Sequence, residues 1–173
     1  MNLSSFCDHS GPHPLAVLGG RAQAEARLTG SGDHPHLSGL VRFYQTRAGV
    51  LVCAEVRGLP HSGLPCQGGV FGFHIHKGTD CGGSMEDPFA DAMSHYDPDG
   101  CQHPYHAGDL PPLFENGGYA LSVFLTGRFT VDEVIGRAVI IHDHPDDFTT
   151  QPSGNSGAKI ACGVIRRAAC PCL

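Results

Sequence analysis

Two histidines stand one residue apart in "GVFGFHIHKGTDC", residues 69–81, a run that otherwise reads as a buried strand. Side chains alternate across a strand with a period of two. Phe71, Phe73 and Ile75 therefore share one face, and Val70, Gly72, His74 and His76 the other. The apolar face reads as core. The other carries two imidazoles able to reach a common point above the sheet, which is a metal-ligand arrangement. The plain alternative is a half-exposed strand that tolerates two histidines. Farther on, "SHYDPDGCQHPYHAGDL" holds His95, His103, His106 and Asp109 within 15 residues. Three nitrogens and one carboxylate suit a four-coordinate tetrahedral zinc, and a site filled entirely by protein ligands would be closed and structural. In "AVIIH", His142 shares its face with Ala138 and Ile140. Three imidazoles from strands, His74, His76 and His142, suit copper, zinc, iron or nickel, and a planar or tetragonal set favours Cu(II).

Rigid elements must hold these side chains, and the chain offers short strands. "AQAEARL" (22–28), "LVRFYQ" (40–45), "GVLVCAEVRGL" (49–59), "YALSVFLTGRFT" (119–130), "GRAVIIHDH" (136–144) and "IACGVI" (160–165) all read so. "TVDEVIG" reads as one helical turn or a loop. From Lys77 to Asn116 no periodicity emerges; a loop of that length inside a compact domain is usually functional. "DDFTTQPSGNSGAK" is a second, glycine-rich loop. Strands joined by turns, without repeats, predict an all-β barrel or sandwich.

The length of 173 residues predicts one domain with a good-sized core. It is placed at 21–167, between a loose leader at 1–20 and a cysteine-containing tail at 168–173. The 24 glycines, 13 prolines and 16% charged residues fit a turn-rich β protein. A formal net charge of −6 argues against a nucleic-acid partner, and no segment is long and apolar enough to span a membrane. The N-terminus lacks the basic start and apolar run of a signal peptide, which points to the cytoplasm. The eight cysteines point the other way, to an oxidising compartment. Of the 12 histidines, His9, His13, His34, His36 and His61 sit in polar or proline-containing contexts and read as surface or turn residues.

"GFHIH", "HYDP", "HAGDLP", "IIHDHPDD" and "GNSGAKIACGVI" follow one another in an order that resembles the copper–zinc superoxide dismutase family, in its bacterial branch, over about residues 20–165. The resemblance implies an eight-stranded Greek-key β-barrel with long metal-binding and electrostatic loops. It implies a copper ion held by His74, His76, His95 and His142, and a zinc ion held by His95, His103, His106 and Asp109. His95 would then bridge both ions as an imidazolate. Asp146 matches an outer carboxylate that links a copper histidine to a zinc histidine. Cys81 and Cys162 match the family's intrasubunit disulfide. The implied activity is oxidoreductase: superoxide becomes dioxygen and hydrogen peroxide, with His95 taking and returning a proton.

The family's arginine beside copper is here Lys159, which keeps the charge and loses the forked donor array. "HKGTDC" departs as loop variation, and His144 reads as a solvated loop residue. A copper- and zinc-binding protein with little turnover, on the same scaffold, is the alternative reading. The resemblance leaves a homodimer open, and family members are often exported. Cys66 and Cys101 flank the site region and could pair. Cys53 reads as buried, and Cys7, Cys170 and Cys172 have no assigned partner.

Overall fold

The computed structural model describes residues 14–64 and 69–169. Cys7, Cys66, Cys170 and Cys172, with any pairing among them, lie outside the described residues. The strands are β1 (Ala24–Gly30), β2 (Ser38–Thr46), β3 (Gly49–Arg57), β4 (Val70–Phe71), β5 (Phe73–His76), β6 (Leu113–Phe114), β7 (Tyr119–Thr126), β8 (Ala138–His142), β9 (Lys159–Val164) and β10 (Arg166–Arg167), with one helical turn, α1 (Val131–Val134). One curled antiparallel sheet runs in the order β5-β8-β9-β1-β2-β3-β7, with β10 also paired to β1, and β4 and β6 form a separate pair. Because β4 runs into β5 across Gly72 and β6 leads into β7, the β4–β6 pair ties the two ends of the curled sheet together. The strand pattern left barrel or sandwich open, and the curled sheet agrees with the barrel that the resemblance implies.

The alternation decides what fills the inside. Ala24, Ala26, Leu28, Val41, Phe43, Val50, Val52, Ala54, Val56, Phe73, Ile75, Val139, Ile141 and Ala161 are all buried in one continuous core. The register opposes Phe73 to Ile141 and Ile75 to Val139, so the inward residues of β5 and β8 meet. The same register turns His74, His76, Ala138 and Ile140 outward together. That outward face is covered, not half exposed. Phe89, Ala92, Ala138, Ile140 and Cys162 form a second apolar cluster outside the sheet, with Cys81 packed against it. The Cys81–Cys162 disulfide locks this cover down, with Cα atoms 5.7 Å apart.

Several boundaries differ from the sequence expectation. The strand placed at 119–130 ends at Thr126, and α1 follows. The long loop is not featureless: it contains a short 3-10 turn at Ala90–Ala92 and strand β6. The stretch read as a leader contains regular structure. Residues Pro14–Gly19 form a 3-10 turn, and Val17 and Leu18 pack against buried Ala22, Tyr44 and Leu51. No helix among the described residues is long and apolar enough to cross a membrane.

Candidate metal centre

Strand β5 lies at one end of the sheet order, so one of its edges is free for a partner. The long loop supplies it. The Ile75 amide donates to the Gly108 carbonyl (2.9 Å), and the Tyr96 amide donates to the Ile75 carbonyl (2.8 Å). Isolated antiparallel bridges therefore set His76 opposite His95 and His74 opposite Asp109. Residues directly opposed in an antiparallel pair share a face, so loop and strand put their polar side chains on the same outer surface. Gly108 makes this approach feasible: a Cβ there would stand 2.2 Å from the Ile75 carbonyl oxygen. On the other side of β5, a register irregularity between Ile141 and His142 sets His142 opposite Lys159. Such a bulge re-aims the side chain that follows it.

Two sets of ligand-type atoms result, each within 4.8 Å: His74, His76, His95 and His142, and His95, His103, His106 and Asp109. All seven residues are buried, and His95 is common to both sets. Hydrogen bonds assign the ring tautomers. His74 Nε2 donates to Asp146 Oδ2 and His103 Nε2 to Asp146 Oδ1, each at 2.8 Å. His76 Nδ1 donates to the Met93 carbonyl (2.7 Å) and His142 Nδ1 to the Gly157 carbonyl (3.3 Å). Each of these rings thereby keeps a lone pair on the nitrogen that faces a cluster. One carboxylate, Asp146, holds one histidine from each set.

The residual atoms fit a cation in each cluster. His74 Nδ1, His95 Nε2 and His103 Nδ1 are buried without a hydrogen-bond partner, although His103 Nδ1 lies 3.1 Å from Asp109 Oδ2. His76 Nε2 and His142 Nε2 face each other at 3.3 Å, with both protons assigned to the opposite nitrogens. Lone pairs left buried and mutually opposed are costly, and a shared cation relieves that cost. On its other side His95 places Nδ1 at 2.7 Å from Asp109 Oδ1 and 3.4 Å from His106 Nδ1. An all-nitrogen set beside a three-nitrogen, one-oxygen set is the donor chemistry of copper next to zinc.

Burial and hydrogen bonding keep His74, His76, His142, Asp109 and Asp146 in the ligand-competent form. Burial drives the His76 imidazole well below its ordinary pKa, helped by His142 and His95. Burial and the neighbouring His74 bring His142 down to about 3. Burial also lowers His74, and the hydrogen bond to Asp146 only partly offsets it. For Asp146, burial pushes the carboxyl up, but hydrogen bonds from His74, the Phe148 amide and His103 outweigh it and hold it at about 2. Asp109 follows the same pattern: burial raises it, and His95, His103 and His106 bring it below the usual range. Neutral imidazoles and ionised carboxylates are the forms that bind metals.

Residues with no sequence signal complete the centre. The Gln151 side chain accepts from the His103 amide (3.0 Å) and donates to its carbonyl (2.6 Å), binding the second loop to the first. Arg128 Nη1 donates to the carbonyls of Pro104, His106 and Asp109 at 2.9, 3.1 and 3.3 Å. Gly154, at φ +68°, leaves room that a Cβ would take 1.9 Å from Asp146 Oδ1. Lys159 lines a cavity of about 680 Å³ with His76, His95 and His142. His144 lies outside both clusters, with its side chain 65% exposed beside Asp143. Among the described residues Cys53 and Cys101 have no disulfide partner; Cys53 is half-buried, not buried as its strand suggested, and Cys101 is exposed.

Residues 37–165 match the sequence model of a family described as copper/zinc superoxide dismutase (SODC). The copper–zinc superoxide dismutase of Legionella pneumophila is 37% identical over 144 residues, covering 79% of this chain and 82% of that protein. The one from Photobacterium leiognathi is 34% identical over 142 residues, covering 74% and 78% respectively. A superoxide dismutase-like protein of Bacillus subtilis is 32% identical over 113 residues, covering 57% and 56%.

Proposed function

The chain belongs to the copper/zinc superoxide dismutase family, and from that premise we propose that it is an enzyme converting superoxide to dioxygen and hydrogen peroxide. The observation that carries the proposal is His95, one buried ring that serves two adjacent ligand sets. His74, His76, His95 and His142 would hold copper; His95, His103, His106 and Asp109 would hold zinc. When bound, the two ions supply one-electron exchange at copper and a fixed, redox-inert charge at zinc. The chain's own residues do the rest. Asp146 fixes the tautomers of His74 and His103 together, so the two sets are oriented as one unit. His95 Nε2, a buried atom with no partner in the fold, is where the chain can hold and release a proton. Lys159 brings a cation to the wall of the cavity and would draw in the anionic substrate. A Lys159→Arg variant is expected to dismute at least as fast as the parent at low ionic strength, and both rates should fall with added salt. A slower Arg variant contradicts the assigned role.

The test is direct. Purified protein loaded with copper and zinc is assayed for superoxide decay beside a matched copper-salt control. Decay well above the control is the expected result. Full copper occupancy without decay would favour the other reading, a metal-binding protein on this scaffold.

Two finer points belong to the same proposal. The outward residues of β7, Leu121, Val123 and Leu125, are 61%, 38% and 44% exposed, on a strand at the other end of the sheet order. An exposed apolar stripe on a strand at the end of the sheet order supports a homodimer. Sedimentation should then show a dimer that Leu121→Glu dissociates. The disulfide supports an oxidising compartment over the cytoplasm.

A further inference from the structure

The cavity that leads to His76, His95 and His142 carries an unexpected charge balance. Its lining contains one lysine, Lys159, and three carboxylates, Glu86, Asp87 and Asp97. Lys159 Nζ is not free over the cavity: it donates to Asp87 Oδ2 at 2.5 Å. The lysine side chain is 15% exposed and that of Asp87 45%. The aspartate is itself fixed. Its other oxygen, Oδ1, accepts from the Phe89 amide, while the Asp87 amide and carbonyl bond within the turn through Ser84 Oγ and the Ala90 amide. Phe89 belongs to the apolar cluster sealed by Cys81–Cys162, and Cys162 lies three residues beyond Lys159 on β9. The acid and the base thus lie on the two segments that the disulfide joins.

We propose that Asp87 is a positioning and specificity-determining residue that masks Lys159 and sets how strongly the metal cavity attracts small anions. The inference rests on the reading of that cavity as the place where an anionic substrate enters. A lysine paired at contact distance acts on a distant anion as a dipole, and its field falls faster than that of a lone charge. An incoming anion must compete with Asp87 for the ammonium. Glu86 provides the internal comparison. It lines the same cavity and carries the same charge, but its carboxylate is exposed and accepts from Ser84 Oγ instead of Lys159. If only net charge mattered, neutralising either residue would have the same effect.

The experiment compares the parent, Asp87→Asn and Glu86→Gln, each carrying copper and zinc in equal measured amounts. Asparagine retains an oxygen for the Phe89 amide, so the turn keeps its support. Azide is the anion probe, and its dissociation constant is read from the copper absorption spectrum. Asp87→Asn should bind azide about three- to fivefold more tightly at low ionic strength, the effect of removing one charge several ångströms away in a partly solvated site, and the gain should shrink with salt. Glu86→Gln should stay close to the parent. A second readout needs no turnover. The chain has two lysines, Lys77 and Lys159. Peptide mapping after limited acetylation should show Lys159 reacting faster in Asp87→Asn, with Lys77 as the reference. Unchanged or weaker azide binding in Asp87→Asn, an equal shift in Glu86→Gln, or unchanged acetylation of Lys159 would each overturn the inference. Protein that gives the azide and acetylation results but fails to dismute superoxide would overturn the proposed activity and leave the masking intact.

Discussion

Asp146 concentrates the logic of the centre in one side chain. Its two oxygens accept from His74 and His103, which belong to different ligand sets. A carboxylate that fixes ring tautomers in this way typically accounts for 10- to 100-fold in metal affinity. Asparagine has the same shape and a single acceptor oxygen, so one of the two N–H groups must lose its partner. Asp146→Asn should therefore weaken affinity at both sites by about 10-fold or more, measured by competition with chromophoric chelators. Loss confined to one site would show that the two rings are oriented independently. Neighbouring Asp147 bonds within the loop to Thr149 and Thr150 and not to either histidine set. The Thr150 hydroxyl and amide and the Thr149 amide hold its carboxyl below the usual range. A carboxyl depressed in the folded state contributes stability above its unfolded pKa, about 4, and that contribution is lost as pH falls below it. The stability difference between the parent and Asp147→Asn should be present at pH 7 and shrink below about pH 4, as read from paired denaturant curves. A difference that persists at low pH would remove the carboxylate from the explanation.

At the scale of elements, a strand edge and a long loop build one surface. Strand β5 supplies two histidines and the hydrogen-bonding edge, and the loop docks on that edge to deliver His95 and Asp109. The loop still needs an internal brace, because His95, His103, His106 and Asp109, its candidate ligands, are spread along it. Arg128 provides it from beyond β7, through one nitrogen on three loop carbonyls. A cation hydrogen-bonded to several carbonyls contributes more than a neutral donor would. Arg128→Met should weaken zinc binding about 10-fold, by analogy with other outer-shell losses, and leave the copper set less affected. Zinc and copper affinities measured on the same preparation check this. An equal fall in both would mean that the variant disturbs the barrel and not the loop.

Over the whole molecule, the disulfide joins residues 81 positions apart and closes the cover over the outer face of β5, β8 and β9. Chain entropy sets an upper value of about 4–5 kcal/mol for a loop of that length, and typical losses are about 2–4 kcal/mol. Cys81→Ser should lower the melting temperature by roughly 5–15 °C on that basis, measured by calorimetry on metal-free protein. A shift under about 2 °C would mean that the apolar cluster holds the loop without the bond. The strands could be read from the chain because inward and outward residues alternate, and that alternation also set His74 and His76 on one face of their strand and His142 on the face away from Val139 and Ile141 in its own. The ligand types in the loop were legible for a similar reason: three histidines and an aspartate in a short span have few other uses. Spacing could not reveal which ring nitrogen faces which cluster, because that depends on carbonyls of Met93 and Gly157 that have no side-chain signature. Gln151, Arg128 and Asp87 were equally hidden, since each acts on residues 19 to 72 positions away. The amino-acid sequence alone determined the barrel pattern and the donor set, because both follow from local alternation and side-chain chemistry. The tertiary structure alone decided which ring nitrogens face which cluster and that Lys159 meets an acid, because only the docking of loops on strands sets those contacts.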